Sequence, residues 1–347
     1  MKTIHVEASS GYDIIINTDG LQQLGEYMRR TLPATKKVLA VTDAAVNALY
    51  SDTVLESLRK SGFCTALHVI ENCCEKTKTL DTVEKIYESA ERESLTRSDA
   101  ILALGGGIVG DIAGFAASSY MRGIKFVQVP TTIIAQTDSS VGGKCGVNYR
   151  NIKNLIGAFY SPALVYTDTS LLRTLPDREK SAGMAEVIKY ACISDRLLFS
   201  ELKSGLYEMQ DIVSRCVSIK RDITEKDEHD MGLRHILNFG HTVGHALEEC
   251  SHNELLHGEG VAMGMYAMAR CGEKLSITKS GTAEQIHDLC SQFSLCADIP
   301  SHLNYIDFLS SDKKRTGDSI MAVFITEIGK SVIRNIKIHE LAELLNG

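Results

Sequence analysis

Six of the 11 histidines in this 347-residue chain lie between His229 and His257. His241 and His245 are four residues apart, so a helix there would project both imidazoles from one face. His257 stands where a second helix could begin. Imidazoles suit zinc, and a catalytic zinc site takes three protein ligands and leaves one position open. The cluster predicts a metal centre, formed by three histidines or by two and a distant carboxylate. The alternative is a set of surface or core histidines in a helical domain.

A glycine-rich loop, residues 104–111, follows a strand-like run and precedes a helical pattern at Asp111–Tyr120. Glycines at such a turn let a diphosphate approach the backbone, and the helix N-terminus attracts its charge. The spacing is not Gly-x-Gly-x-x-Gly, and the loop does not lie in the first strand-turn-helix unit. We expect a nucleotide here, with a tight packing turn as the alternative. Asp43, at the end of an earlier strand, could hold a ribose hydroxyl or cap the next helix.

Basic residues recur along the chain although its net charge is −7. Each of them alone is explained as a solvated surface charge. Together they could line an anion pocket for a phosphate and a carboxylate. The candidates are Arg122, Lys144, Lys153, Lys189, Lys220, Arg234, Lys313 and Lys314, with Asn154 and Asn238 beside them.

The composition excludes several classes of protein. Hydrophobic residues make up 44% and charged residues 23%, as in globular proteins, and no apolar run is long enough to span a membrane. The acidic net charge argues against a nucleic-acid partner. The start lacks the apolar core of a signal peptide, and the ten cysteines form no Cys-x-x-Cys pair. We therefore expect a cytoplasmic protein with reduced thiols.

Strand-like runs alternate with helical patterns over the first 170 residues, which predicts a mostly parallel, Rossmann-like α/β sheet. The predicted strands are Thr3–Val6, Tyr12–Ile16, Lys37–Thr42, Thr65–Ile70, Asp99–Leu104, Lys125–Pro130 and Ala163–Asp168. The predicted helices are Leu21–Thr31, Asp43–Gly62, Thr79–Glu93 and Asp111–Tyr120.

The pattern becomes mainly helical after residue 170. The predicted helices are Arg178–Ser194, Arg196–Lys203, Tyr207–Glu228, Thr242–Ser251, Glu259–Leu275 and Thr282–Phe293, followed by a hairpin, Ile320–Ile325 with Ser331–Ile336, and a helix, Ile338–Leu345. We therefore predict two domains, an α/β domain at residues 1–170 and a mainly α-helical domain at 171–347. A cleft between two domains is a common place for a site.

Seven motifs, in order, resemble those of the 3-dehydroquinate synthase family. They are Gly-Gly-Gly-x-x-Gly-Asp-x-Ala-Gly-Phe (105–115), Arg-Gly-Ile-x-Phe-x-Gln-Val-Pro-Thr-Thr (122–132), Asp-Ser-Ser-Val-Gly-Gly-Lys (138–144), Lys-Asn-Leu-Ile-Gly-Ala-Phe (153–159), Gly-Met-Ala-Glu-Val-Ile-Lys (183–189), Asn-Phe-Gly-His-Thr-x-Gly-His-Ala-x-Glu (238–248) and His-Gly-Glu-x-Val-Ala-x-Gly-Met (257–265).

The resemblance implies a fold like that of the glycerol dehydrogenases and a homodimer. It implies a phosphate-eliminating lyase that converts 3-deoxy-D-arabino-heptulosonate 7-phosphate to 3-dehydroquinate, the second step of the shikimate pathway. The family uses NAD catalytically and one divalent metal, zinc or cobalt. The implied NAD-binding domain is residues 1–170, and the implied metal- and substrate-binding domain is 171–347.

The resemblance also assigns roles to individual residues. It implies Glu186, His241 and His257 as metal ligands and leaves His245 to catalysis, whereas spacing alone favoured His241 with His245. The other implied catalytic residues are Asp138, Lys144, Lys153, Lys189 and Asn238. Substrate would be held by Asn154, Lys220, Arg234, Lys313, Lys314 and, from the partner subunit, Arg122. NAD would meet Asp43, Glu75, Lys78, Gly106, Gly107, Asp111, Thr131, Thr132, Lys144, Lys153 and Thr174.

One departure and several rival functions bear on this interpretation. Cys74 stands where the family has glycine, and its side chain could distort the turn that carries Glu75. Among related cyclases, 2-deoxy-scyllo-inosose synthases tend to lack the equivalents of Asp111 and of residues 141–144. Aminodehydroquinate synthases differ mainly in one substrate substituent. A polyol dehydrogenase needs no anion pocket, and a catalytically inactive binding protein would not need the intact metal set.

Overall fold

The computed structural model describes residues 1–150, 152–252, 254–311, 315–316 and 318–346. Its contacts divide the chain into two compact units. The first unit is Met1–Leu175 with Met209–His229, and the second unit is Pro176–Glu208 with Asp230–Gly347. The domain boundary predicted at residue 170 stays a prediction. The contacts add that the segment from Met209 to His229 groups with the N-terminal part of the chain.

The described residues form the following strands and α-helices. The strands are β1 Lys2–Val6, β2 Tyr12–Asn17, β3 Lys37–Asp43, β4 Cys64–Ile70, β5 Ala100–Gly105, β6 Lys125–Pro130, β7 Lys144–Tyr149, β8 Ile152–Phe159, β9 Leu164–Asp168, β10 Arg315–Thr316, β11 Ser319–Glu327 and β12 Lys330–Lys337. The helices are α1 Leu24–Thr31, α2 Ala44–Val46, α3 Asp52–Lys60, α4 Leu80–Arg92, α5 Gly107–Ser119, α6 Asp177–Ser194, α7 Arg196–Ser204, α8 Met209–Lys226, α9 His241–Cys250, α10 His257–Lys274, α11 Thr282–Gln292 and α12 Ile338–Asn346.

A seven-stranded sheet in the order β1-β2-β9-β6-β5-β3-β4 organises the first unit. Every neighbouring pair in it is parallel except β1 and β2, which form an antiparallel edge. Strands covered on both faces are buried along their whole length, as β5 and β9 are here, and β5 is also apolar throughout. The prediction of a mostly parallel α/β sheet is confirmed.

Side-chain alternation along β5 separates two apolar layers. Ala100, Leu102 and Leu104 face one layer, which also contains residues of α1 and α3. Ile101 and Ala103 face the other, which contains residues of α4 and α5. Helix α8 packs against the β1–β2 edge through a third cluster. That contact explains why α8 belongs to the first unit.

Three local features of the first unit differ from what the sequence predicted. Helix α5 begins inside the glycine loop, at Gly107, instead of at Asp111. The helix predicted over 43–62 is interrupted by one π-helical turn, Asn47–Ser51. The hairpin of β7 and β8 was missed. It is a two-stranded ribbon and β8 has little burial on either face, so it lacks the apolar alternation that marks a strand on a core.

The second unit contains the remaining helices and an antiparallel sheet of β10, β11 and β12. The predicted helices and the final hairpin are confirmed to within a few residues at each end. Helix α6 is buried on all sides from Ala182 to Ile193. A helix in such a position is normally apolar all round, so Glu186 and Lys189 within it need partners.

Among the helices of the described residues, none is both long and apolar enough to cross a membrane.

Candidate functional site

Three helices of the second unit bring together one carboxylate and two imidazoles. Glu186 lies in the middle of α6, and His241 and His257 are the first residues of α9 and α10. Glu186 Oε1 lies 3.4 Å from His241 Nε2 and 3.2 Å from His257 Nε2. One ligand atom from each residue lies within 4.8 Å of the other two. Two nitrogens and one carboxylate oxygen are a suitable donor set for zinc or a similar ion.

The protonation states of Glu186 and His241 suit a metal, whereas the neighbouring carboxylates, Glu248 before Glu186, raise the pKa of His257 to about 10 in spite of its burial. Burial alone would raise the pKa of Glu186, but the charge of Lys189 and the contact with His241 hold it well below its usual range. Lys189 Nζ pairs with Glu186 Oε2 one helical turn away, and both side chains are buried. Burial lowers the pKa of His241 in spite of the Glu186 carboxylate. An ionised carboxylate and a neutral imidazole are the forms that bind metals.

Backbone contacts at glycines set the spacing of the three helices. A Cβ atom on Gly258 would lie 1.8 Å from the carbonyl oxygen of Ala182 in α6. A Cβ atom on Gly264 would lie 1.9 Å from the carbonyl oxygen of Gly240, just before α9. Side chains at these positions would push α10 away from its neighbours. The glycines around the histidines therefore fix the distances between the candidate ligands.

His245 lies one turn after His241 and is exposed. Its ring centroid is 5.3 Å from that of His241 and 5.7 Å from that of His257. It belongs to a second possible ligand group, with Glu248 and His257. The Glu186 group contains His241 but not His245, so it differs from the pair that spacing alone favoured. The choice of ligands stays a prediction.

The glycine loop of the first unit packs against the segment after β6. A Cβ atom on Gly106 would lie 3.1 Å from Thr132 Cγ2, and one on Gly107 would lie 3.0 Å from Ser139 Oγ. The backbone N–H of Thr131 donates to the carbonyl of Gly105 at 3.0 Å. Four of the predicted NAD contacts, Gly106, Gly107, Thr131 and Thr132, thus lie together at the N-terminus of α5.

Two other predicted NAD contacts make ordinary local bonds. The Asp43 carboxylate accepts from the backbone N–H groups of Ala45 and Val46 at 2.9 and 3.0 Å, so it caps α2. The Thr174 hydroxyl lies 2.5 Å from the Tyr50 hydroxyl. The capping alternative for Asp43 is therefore present in the structure, and a ribose contact stays a prediction.

Lys78 is the centre of a second polar cluster in the first unit. Its buried ammonium donates to Asp111 Oδ2 and Asn154 Oδ1, each at 2.5 Å. Burial raises the pKa of Asp111 although Lys78 opposes that shift. Asn154 has φ +52°, and its backbone N–H donates to Asn148 Oδ1 at 2.8 Å. Residues predicted separately for NAD and for substrate therefore share one buried cation.

Asn148 was missed in the sequence although it connects this cluster to Glu75. Its side-chain amide donates to Glu75 Oε1 at 2.7 Å, and its backbone N–H donates to the carbonyl of Lys78 at 2.8 Å. An asparagine in a two-stranded, largely exposed ribbon gives no signal of such contacts. Cys74, just before Glu75, has φ −155° and ψ 176°, which any residue adopts. Cys74 is therefore not strained, and a distortion of the turn that carries Glu75 stays a prediction.

The remaining predicted residues fall into three groups. Lys220 Nζ pairs with Asp138 at 3.0 Å to Oδ1 and 2.8 Å to the backbone carbonyl. A single anion pocket formed by the other basic and amide candidates stays a prediction. They are Arg122, Lys144 and Lys153 in the first unit and Arg234 and Asn238 in the second. Lys313 and Lys314 lie outside the described residues.

Comparisons with known sequences agree with the motifs. The family models "3-dehydroquinate synthase N-terminal" and "3-dehydroquinate synthase C-terminal" match residues 68–182 and 183–315. A 3-dehydroquinate synthase of Enterococcus faecalis is 39% identical over 100% of this chain and 99% of its own. One of Rippkaea orientalis is 42% identical over 96% of each chain.

Solved structures confirm the predicted fold class. A 2-deoxy-scyllo-inosose synthase complexed with carbaglucose-6-phosphate, NAD+ and Co2+ has a TM-score of 0.88 and 26% identity, over 99% of each chain. The 2-epi-5-epi-valiolone synthase of Streptomyces hygroscopicus, with NAD+ and Zn2+ bound, has a TM-score of 0.87 and 26% identity, over 96% of each chain. A probable glycerol dehydrogenase of Sinorhizobium meliloti shares the fold, with a TM-score of 0.62 and 16% identity over 96% of this chain and 95% of its own. By the two matching family models and the full-length relatives, this chain belongs to the 3-dehydroquinate synthase family.

Proposed function

We propose that the chain, as a 3-dehydroquinate synthase, is a phosphate-eliminating lyase that uses NAD and one divalent metal. Its reaction converts 3-deoxy-D-arabino-heptulosonate 7-phosphate into 3-dehydroquinate and phosphate. The observation that carries the mechanism is the cluster of Glu186, His241 and His257, whose donor atoms suit a zinc or cobalt ion. Two structural neighbours hold Co2+ or Zn2+ together with NAD+.

The two cofactors divide the chemistry between them. The metal supplies Lewis-acid stabilisation to a substrate hydroxyl as it ionises, and NAD supplies a reversible hydride acceptor. Glu186, His241 and His257 would hold the metal. The NAD set would be the glycine loop together with Asp43, Glu75, Lys78, Asp111, Thr131, Thr132, Lys144, Lys153 and Thr174. The glycines and the start of α5 provide room and a favourable dipole for the diphosphate.

The chain's own residues mainly position and balance charge. Lys189 keeps Glu186 ionised, and Lys220 fixes the Asp138 carboxylate. Both lysines are buried, so their ammonium groups act at low dielectric, where the electrostatic interactions of each charge are stronger than in water. His245, exposed next to the cluster, is suited to moving a proton. Substrate phosphate and carboxylate would be bound by Asn154, Arg234, Lys313 and Lys314, with Arg122 contributed by the partner subunit of a homodimer.

The main rival is another sugar-phosphate cyclase. The 2-deoxy-scyllo-inosose synthase shares the fold closely but is 26% identical, against 39–42% for the 3-dehydroquinate synthases. Asp111 and residues 141–144 also favour a 3-dehydroquinate synthase. Aminodehydroquinate synthase differs mainly in one substituent of its substrate, so a substrate test separates the two.

The test is phosphate release from 3-deoxy-D-arabino-heptulosonate 7-phosphate with substoichiometric NAD and added zinc, before and after chelation. We expect release without net NADH, lost with chelator and restored by metal. Glucose 6-phosphate and the amino analogue of the substrate serve as matched alternatives. Faster turnover of either one would move the chain to a rival cyclase. NADH accumulating with glycerol, and no phosphate release, would move it to the polyol dehydrogenases.

A further inference from the structure

A buried carboxylate with no role so far lies beside the metal cluster. Glu248 follows His241 by seven residues, so both side chains project from the same face of α9. Glu248 Oε1 lies 2.8 Å from His257 Nδ1, and the residue is only 4% exposed. The other ring nitrogen of His257, Nε2, faces Glu186 at 3.2 Å. The two carboxylates thus contact opposite nitrogens of one imidazole.

We propose that Glu248 is a positioning residue that holds His257 in the tautomer and orientation needed to bind the metal. A carboxylate oxygen accepts from Nδ1–H and thereby leaves Nε2 free to coordinate on the Glu186 side. Such a partner also makes the imidazole a stronger donor. The inference rests on the proposed function, because it assumes that the Glu186 cluster holds the ion.

The two candidate histidines are held in different ways. His241 is buried, and its Nδ1 donates to the backbone carbonyl of Phe239 at 3.2 Å. The side chain of His257 is 34% exposed and stands at the start of a helix. Packing alone orients it less strongly. A side-chain acceptor is therefore more important for His257 than for His241.

The packing leaves Glu248 little freedom to move. A Cβ atom on Gly260 in α10 would lie 3.3 Å from Glu248 Cγ and 2.9 Å from the carbonyl of Gly244. The stem of Glu248 therefore fits between α9 and α10 because residue 260 has no side chain. A carboxylate held in this way can fix a neighbouring ring to within a fraction of an ångström.

A competing assignment makes Glu248 itself a ligand, in the group with His245 and His257. In that arrangement His257 would coordinate through Nδ1, and that nitrogen could no longer donate to Glu248. The two assignments predict different variants to lose metal. If Glu248 is a ligand, His245→Ala weakens metal binding as strongly as Glu248→Ala does. If Glu248 is a positioning residue, His245→Ala leaves metal affinity within about twofold of the unmodified chain.

The experiment measures metal binding by the full chain without substrate or NAD. Zinc affinity is obtained by competition with a chelator, and the geometry from the visible spectrum of the Co2+-loaded protein. The variants are Glu248→Ala, Glu248→Gln and His245→Ala. Glu249→Gln, an exposed neighbour on α9, is the matched control. Circular dichroism checks that each variant is folded.

We expect Glu248→Ala to raise the zinc dissociation constant by about 10- to 100-fold and to shift the Co2+ bands. Glu248→Gln keeps an acceptor for Nδ1–H, so it should lie between Glu248→Ala and the unmodified chain. Saturating zinc should restore most of kcat in both. Unchanged affinity and spectrum in folded Glu248→Ala would overturn the proposal, and so would equal losses in Glu248→Ala and His245→Ala. If the unmodified chain binds no metal, the proposed function fails instead.

Discussion

The polar clusters around Glu186 and Lys78 differ in the sign of the charge at their centre. In the second unit an anion, Glu186, is surrounded by the nitrogens of His241, His257 and Lys189, and all four residues stand on helices. In the first unit a cation, Lys78, is surrounded by the oxygens of two side chains, and the lysine follows a turn. Helix packing at glycines sets the geometry around Glu186, and hydrogen bonds set the geometry around Lys78. Substitutions should therefore change metal affinity in one cluster and local stability in the other.

The largest expected effect is that of Glu186→Ala. It removes the only carboxylate of the Glu186–His241–His257 group and leaves Lys189 buried without that partner. Loss of the metal should remove several kcal/mol of transition-state stabilisation. The value of kcat should therefore fall on the order of 10³-fold. Metal content by mass spectrometry and phosphate release measure the two effects. His257→Ala should behave in the same way.

The control for these variants is His302→Ala, which removes an exposed histidine elsewhere in the second unit. It should retain metal and activity. A Glu186→Ala protein that keeps both would contradict the ligand assignment.

Gly258→Ala tests whether backbone contact sets the metal geometry. Its Cβ would lie 1.8 Å from a backbone oxygen of α6, so α10 has to shift. We expect a loss of about 3 kcal/mol in unfolding free energy, at the upper end of overpacking costs, together with weaker zinc binding. Urea denaturation and chelator competition measure these. Gly11→Ala, where the nearest atom would be 3.4 Å away, is the control. Unchanged zinc affinity in a destabilised variant would show that this packing contact does not set the metal geometry.

Lys78→Met should act on stability in the first unit. It leaves the Asp111 carboxylate, whose side chain is 22% exposed, without its cation. Breaking a buried pair from one side costs about 3–5 kcal/mol, and the partial exposure places this case near 2–3 kcal/mol. The measurement is urea denaturation at several pH values. The double variant with Asp111→Asn should recover much of the loss.

The pH dependence of that loss has a definite sign. Burial raises the pKa of Asp111, and losing Lys78 should raise it further. The folded state then binds the proton more tightly than the unfolded chain does. The destabilisation of Lys78→Met should be full at neutral pH and shrink as the pH falls through the folded pKa of Asp111. If the loss of stability in Lys78→Met does not depend on pH, or persists when Asp111→Asn is added, its cause is packing and not the Asp111 charge.

The sequence predicted the elements better than the contacts between them. Periodicity placed the sheet strands, and the glycines with the histidines indicated where α9 and α10 begin. Glu186 entered only through the family resemblance, because spacing cannot show which distant carboxylate faces a pair of histidines. Asn148 and the bonds of Lys78 to Asp111 and Asn154 were not predicted. They depend on a hairpin whose largely exposed strands lack the alternation that marks a buried sheet.

The smallest expected effect is that of Cys74→Gly, which restores the residue usual in the family. Cys74 already has ordinary extended angles, and Thr77 holds the turn by accepting from the Cys74 N–H at 3.0 Å. Glycine should therefore relieve no strain and should cost less than about 1 kcal/mol through greater freedom of the unfolded chain. NAD affinity, measured by calorimetry, should stay within about twofold, since the turn keeps the hydrogen bonds that place Glu75. Thr77→Val, which removes the hydroxyl, is the comparison and should weaken the turn more. A clear gain in stability or NAD affinity for Cys74→Gly would mean that the cysteine does distort this turn.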